Sequence, residues 1–320
     1  MKRSFAVFAL LVSVFGAGIS TSACKSGHES SNEPTTASLP PLDPAPAPGS
    51  SIDAPPPKDP LPHPLFWSVE KDGKTTYVLG TMHIGIDADN RLPLYVWRRF
   101  HAASTFAMEA DLDDAAAVDA LKPTPASLRA QLGDDYWKKL ETAVGPGMAK
   151  AFDHMPTMVP AAALSIRGLP MTDPMDKTLA AHASSEHKRI VFLEPAARQI
   201  ALLLKWMDVK ALKMMLDDTD SEAHAKATLD AYVTGDEARF LQISDGERAE
   251  ALRHGYTAIE YDQEMKDLLY DRNASWIDEI ERVHGAGGGF IAVGALHLLG
   301  PHSVLELLRA RGYTITRLTS

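Results

Sequence analysis

Two segments far apart in the chain carry the same signature, and that repetition narrows the folds open to it. Tyr77-Val78-Leu79 runs into Gly80-Thr81-Met82-His83-Ile84-Gly85, and Phe290-Ile291-Ala292-Val293 runs into Gly294-Ala295-Leu296-His297-Leu298-Leu299-Gly300. Each copy reads as a short buried strand, a glycine where the chain turns, and a histidine three residues later. Strands that are near-continuous apolar runs suit a parallel sheet covered by helices on both faces. In such sheets ligands gather outside the carboxyl ends of the strands, where both histidines are expected. The competing reading is a pair of loop-capping histidines bonded to backbone.

Two further apolar runs end in carboxylates. Ser104-Thr105-Phe106-Ala107-Met108 leads to Glu109, and Arg189-Ile190-Val191-Phe192-Leu193 leads to Glu194, with Pro195 suited to open a helix. If these four strands lie side by side and parallel, His83, Glu109, Glu194 and His297 converge on one edge. A hairpin is expected before them, with Leu65–Glu70 and Lys74–Leu79 flanking Lys71-Asp72-Gly73.

The rest of the folded part reads as mostly helical. Residues 127–144 have the helical period with Ser127 as an N-cap. Thr172-Asp173-Pro174-Met175-Asp176 opens another helix, and Asp176 reads as a first-turn carboxylate favoured by the helix dipole rather than as a catalytic group. A buried helix is expected from Pro195 to about Met215, and a polar helical stretch over 223–258 reads as a surface excursion or a lid. Between Tyr261 and Val283 the apolar stripe Met265, Leu269, Trp276, Ile280 and Val283 includes Arg272. A guanidinium on a buried face needs a carboxylate partner or a bound anion, because unpaired it costs several kcal/mol. Both a structural ion pair and a ligand-steadying role are open to it. His101, His154, His182, His187, His224, His254, His284 and His302 have no comparable context and read as surface or packing residues.

The N-terminus is of another kind. Lys2 and Arg3 precede an apolar and small-residue stretch from Phe5 to Ile19, the shape of a secretory signal peptide over residues 1–23. Cys24, the single cysteine, follows Thr21-Ser22-Ala23 and resembles the acylated cysteine of a bacterial lipoprotein, although Thr21 stands where that pattern has an aliphatic residue. Ordinary cleavage is the alternative. Either reading exports the protein, as a lipid-anchored periplasmic or outer-membrane lipoprotein or as a secreted one. One cysteine also excludes an internal disulfide and a cysteine-based zinc site. Residues 24–64, rich in Pro, Ser and Ala, read as a disordered, partly extended tether. A net charge of −10 argues against a nucleic-acid partner or an anionic membrane surface.

Taken in order, these pieces resemble the TraB/PrgY/GumN family, which includes the animal Tiki proteases. The likeness covers Leu65 to Leu318. It rests on the opening Leu-Phe-Trp strand, Leu79-Gly80-Thr81-Met82-His83, Met108-Glu109, Met175-Asp176, Leu193-Glu194 followed by Gln199, Arg272-Asn273 followed by Trp276, the Val293–Gly300 motif and Arg311-Gly312-Tyr313. The resemblance implies one α/β domain over 65–320, similar to the erythromycin-esterase and ChaN-like fold: a mixed, largely parallel sheet with helices on both faces and a helical insertion between two halves. It also implies a divalent-metal site for Mn, Co or Zn, held by His83, His297 and Glu109, and a metal-dependent peptidase-type hydrolase. The histidines would be two ligands, or one ligand and one base. Glu109 would be a ligand or the general base, Glu194 would orient a histidine, and Arg272 would stabilise an oxyanion or hold substrate. The expected partners are a peptide or small-molecule substrate and, through the lipid anchor, the membrane. Other members are linked to pheromone shutdown or to haem or iron binding. A non-enzymatic extracytoplasmic binding protein for a peptide, haem or metal, or a metal-independent esterase with His83 as base, are therefore the rival readings.

Overall fold

The computed structural model describes residues 57–320 apart from Leu112. The signal segment, Cys24 and most of the tether lie outside the described residues. Leu61 is already buried, its N–H bonded to the Arg91 carbonyl, four residues before the first expected strand.

Six strands form one sheet: β1 (Phe66–Lys71), β2 (Lys74–Thr81), β3 (Thr105–Met108), β4 (Arg189–Phe192), β5 (Phe290–Gly294) and β6 (Thr314–Arg317), in the order β4-β3-β5-β2-β1-β6. The four strands β4, β3, β5 and β2 run parallel, while β1 pairs antiparallel with both β2 and β6. The sheet is thus mixed and largely parallel. Its first turn follows from two residues: Asp72 and Gly73 both have positive φ, 52° and 72°, the backbone a two-residue hairpin loop demands.

The central strands are buried on both faces because long stretches of them are apolar. Val78, Leu79, Phe106, Ala107 and Phe290 to Val293 have no exposure at all. Phe290 packs edge-on to Phe100 and beside Phe66, which fixes the helix Leu94–Ala102 across the sheet. Gly80 stands where β2 passes the end of β5. A Cβ there would lie 3.2 Å from the Ala295 Cα and from the Leu65 Cβ, so the first glycine of the histidine motif is a packing requirement.

Helices fill the long connections β3–β4 and β4–β5. The single helix expected over 127–144 is two, Leu128–Leu132 and Asp134–Val144, because Gly133 adopts φ 79° between them; Ser127 caps the first as expected. The helix expected from Pro195 likewise divides, into Ala196–Trp206 and Val209–Asp217, where Asp208 caps a fresh N-terminus by accepting the Ala211 N–H. Ser221–Thr234 and Glu237–Arg253 are no mere surface excursion. Tyr232 is fully buried, and its hydroxyl donates to the Gly80 carbonyl at 2.7 Å. The stretch after Tyr261 is interrupted by a π-helical turn, Lys266–Tyr270, before the helix Asp271–Gly285. No described helix is long and apolar enough to cross a membrane.

Candidate functional site

Parallel pairing sets the first condition of the site. β2, β5, β3 and β4 are neighbours in register, so the residues just beyond them share one rim. His83, Glu109, Glu194 and His297 are all brought there, each at most 5% exposed. The ladder continues past the strands: the Leu193 N–H bonds the Met108 carbonyl and the Glu194 N–H the Glu109 carbonyl, each at 2.9 Å. That holds the two glutamates side by side.

Arg272 binds them together. Its Nε donates to Glu194 Oε1 at 2.7 Å and its Nη2 to Glu109 Oε2 at 2.7 Å, with Glu194 Oε1 also 2.5 Å away. Nη1 donates to the Leu268 carbonyl at 3.0 Å and to His297 Nε2 at 3.3 Å. The guanidinium lies over the Trp276 ring, 5.0 Å from its centre. A π-helical turn, Lys266–Tyr270, precedes Arg272 and contains the Leu268 carbonyl that accepts from it, a distortion common at functional sites. Four of the five guanidinium donors are hydrogen-bonded, and Arg272 clamps two carboxylates.

Glu109 is the centre of the cluster. Oε1 accepts the Gly294 N–H at 2.8 Å and lies 3.7 Å from His297 Nε2, while Oε2 also accepts from Gln199 Nε2 at 2.9 Å. Burial pushes its carboxyl up, but His297, Arg272, His83 and the Gly294 N–H outweigh that and bring it down to about 2. Burial drives His297 the other way, and although Glu109 opposes, Arg272 and His83 help to bring it to about 3. At neutral pH Glu109 is thus an anion beside a neutral imidazole, and Arg272 carries the facing charge. Glu194 is raised, since burial and the neighbouring Glu109 exceed what Arg272 and Arg198 give back.

The two histidines are held through the same atom by different partners. His297 Nδ1 meets Asn273 Oδ1 at 2.6 Å, and Asn273 Nδ2 is spent on the His302 carbonyl, so Nδ1 is the donor and Nε2 the acceptor. His83 Nδ1 meets Asp176 Oδ2 at 2.5 Å, and Thr81 Oγ1 donates to Asp176 Oδ1 at 2.8 Å. Asp176 sits in the first turn of the helix Met175–Ser185, as expected, but it is 3% exposed and turned onto His83. Reading it only as a dipole-favoured end group was wrong, because burial against an imidazole, not solvent at a helix terminus, is its environment. Asp176 and Asn273 hold the two rings at Nδ1.

Asp176, Asn273, Gln199, Thr81 and Tyr232 are the members that sequence reasoning did not assign to the site. A carboxylate at the start of a helix, or an amide next to Arg272, carries no periodic signal that would single it out. The other histidines pair elsewhere: His101 with Glu186, His182 with Asp89, and His284 with Thr76.

Whether the cluster suits a divalent cation can be tested on its own chemistry. Among the described residues, no three His, Cys, Asp or Glu side chains are grouped closely enough to hold an ion. The donor set nevertheless fits in charge and orientation. Two buried carboxyl groups, Glu109 and Glu194, flank one guanidinium, and a third, Asp176, is held against His83. Both imidazoles are anchored at Nδ1 by an oxygen, as ligand histidines are. Gln199 Oε1 and Glu194 Oε2 are buried in the cluster without a hydrogen-bond partner, two acceptors with unused capacity. The Arg272–His297 contact is the longest of the guanidinium's bonds, so His297 Nε2 is the least firmly occupied position.

The sequence profile of the TraB/PrgY/gumN family matches residues 65–317, the whole described domain but for its ends. The uncharacterized protein YbaP of Shigella flexneri is 26% identical over 241 residues, 73% of this chain and 88% of that protein. Its counterpart in Escherichia coli K12 is 26% identical over 240 residues, 73% of this chain and 87% of that protein. No solved structure matches the chain. With a sheet whose parallel ends gather both G-x-x-H motifs, a glutamate pair and an arginine, the chain belongs to the TraB/PrgY/gumN family.

Proposed function

We propose that the chain is a metal-assisted hydrolase acting on a peptide or related carbonyl substrate outside the cytoplasm. The observation that carries this reading is the pair of imidazoles at neighbouring strand ends, each pinned at Nδ1 by an oxygen, with His297 beside Glu109. His83, His297 and Glu109 would hold the ion. When bound, it would lower the pKa of a water and polarise the substrate carbonyl.

The chain's own residues divide the remaining work. Asp176 holds the His83 ring at Nδ1, which leaves Nε2 as the atom that would bind the ion. Glu109, held far below the usual carboxylate range, is a poor proton acceptor and a good anionic ligand. Arg272 keeps Glu109 and Glu194 in place, and Asn273 keeps His297 in the tautomer that presents Nε2. The rival in which His83 acts as base without metal is favoured by the His83–Asp176 pair alone. Export follows from the Lys2–Ile19 segment, and attachment to a membrane from acylation of Cys24.

Chelation separates the two hydrolytic readings. Hydrolysis of a peptide library should stop with a chelator and return on adding Mn²⁺, Co²⁺ or Zn²⁺. Full activity in the chelator would leave the metal-independent esterase standing. Cys24→Ser should release the protein from the membrane fraction, and continued sedimentation with membranes would remove the lipid anchor.

A further inference from the structure

β4 is an edge of the sheet, and its outer side is unused. The Arg189 N–H bonds the Ser104 carbonyl and the Leu193 N–H bonds the Met108 carbonyl, so Arg189, Val191 and Leu193 face β3. In a parallel ladder the alternate residues face the other way, which turns the N–H and C=O of Ile190 and Phe192 outward. Among the described residues, none hydrogen-bonds to them. A cleft of about 350 Å³ runs along the same strand, walled by Glu279, Arg282 and Val283 of the helix Asp271–Gly285. Phe192, at the rim end of the strand, is 41% exposed.

From these features we infer that β4 is the substrate-docking edge, where an extended peptide pairs as a seventh strand with Ile190 and Phe192. The inference rests on the hydrolase reading and says how its substrate is held. Outward N–H and C=O groups at strand spacing are complementary to extended backbone and to little else. The cleft receives alternate side chains of the added strand, with the Arg282–Glu279 ion pair forming part of its wall. Continuity with the rim chooses the occupant. A strand added beside β4 lies about 4.8 Å from it and runs towards the same rim of carboxyl ends that follows β4. The chain's own Pro-rich residues 39–48 are poor strand partners, because proline lacks the N–H the edge would bond.

The test is peptide binding by the full chain carrying His83→Ala, with a blocked heptapeptide of alternating Val and Thr as probe. Ile190→Pro removes an outward N–H and leaves the β3–β4 ladder intact. We expect this second change to weaken binding at least tenfold with an unaltered cooperative melt. N-methylating the peptide's amides in alternate positions tests the same pairing without touching the protein: one alternating set should abolish binding and the other should not. Equal binding by both sets, or by the Ile190→Pro chain, would overturn the docking edge, as would an Ile190→Pro effect explained by loss of a dimer in sedimentation. Peptide bound in this strand-like way but never hydrolysed by the native chain keeps the docking edge and removes the hydrolase. Hydrolysis without any Ile190→Pro effect on binding does the reverse.

Discussion

Glu109 and Glu264 are both nearly inaccessible carboxyls, and they are driven in opposite directions. Glu109, at the rim of the sheet, is held down to about 2, where burial is outweighed by His297, Arg272, His83 and the Gly294 N–H. Glu264, in the helix Ala258–Met265, is pushed up to about 8 by burial, with Asp208 adding to the effect and Lys210 opposing it. Burial is common to both, so the donors around each group make the difference. The rim is built to keep a carboxylate charged in a dry place, and the helical layer is not. That is the expected mark of a site that uses charge.

The largest expected effect follows from removing the cation that makes the rim what it is. Arg272→Met leaves Glu109 and Glu194 adjacent and uncompensated and should cost about 3–5 kcal/mol of stability in chemical denaturation. A loss near zero would mean that the carboxylates tolerate each other and that the contrast with Glu264 has another origin. Next, Asp176→Asn gives His83 an amide partner like that of His297. Hydrolysis should fall roughly 10–100-fold, the usual worth of a group that orients a metal-binding histidine, with the fold intact. An unchanged rate would mean that the Asp176 contact does not matter to how His83 is presented.

Glu264 supplies the pH test. Its folded value of about 8 exceeds the ordinary 4.5, so between these the native chain binds more protons than the unfolded one. The group's contribution should be largest below about pH 4.5 and shrink as pH rises to about 8. Glu264→Gln should flatten that part of the stability profile, and an identical slope in native and variant chains would contradict it. The smallest effect is Tyr232→Phe, which deprives the Gly80 carbonyl of its buried donor and should cost about 1 kcal/mol in thermal unfolding. A much larger loss would show that the helix Ser221–Thr234 braces the His83 turn more strongly than one hydrogen bond implies.

The rim was legible in the sequence because each of its strands is an uninterrupted apolar run ended by one polar residue. Arg272 was legible because it breaks an apolar stripe. The supporting partners were not, for physical reasons that differ. Asp176 looks like any acidic residue in a first helical turn until the helix is seen to point at His83. Asn273 follows Arg272 directly, and neighbours in a helix face different ways, so nothing on the stripe announced that it would reach His297. The π-helical turn is invisible to a 3.6-residue period, and the breaks at Gly133 and Met207 interrupt runs whose polarity pattern continues across them. Strand order depends on long connections and was readable only as far as parallel strands imply crossovers.

The most direct measurement is ¹⁵N imidazole NMR of the full chain titrated with Zn²⁺. The account predicts that the Nε2 resonances of His83 and His297 move together at one stoichiometric equivalent, while both Nδ1 resonances keep their hydrogen-bonded positions. Movement of one histidine alone, or of neither, would contradict the claim that the two strand ends share a single chemical task.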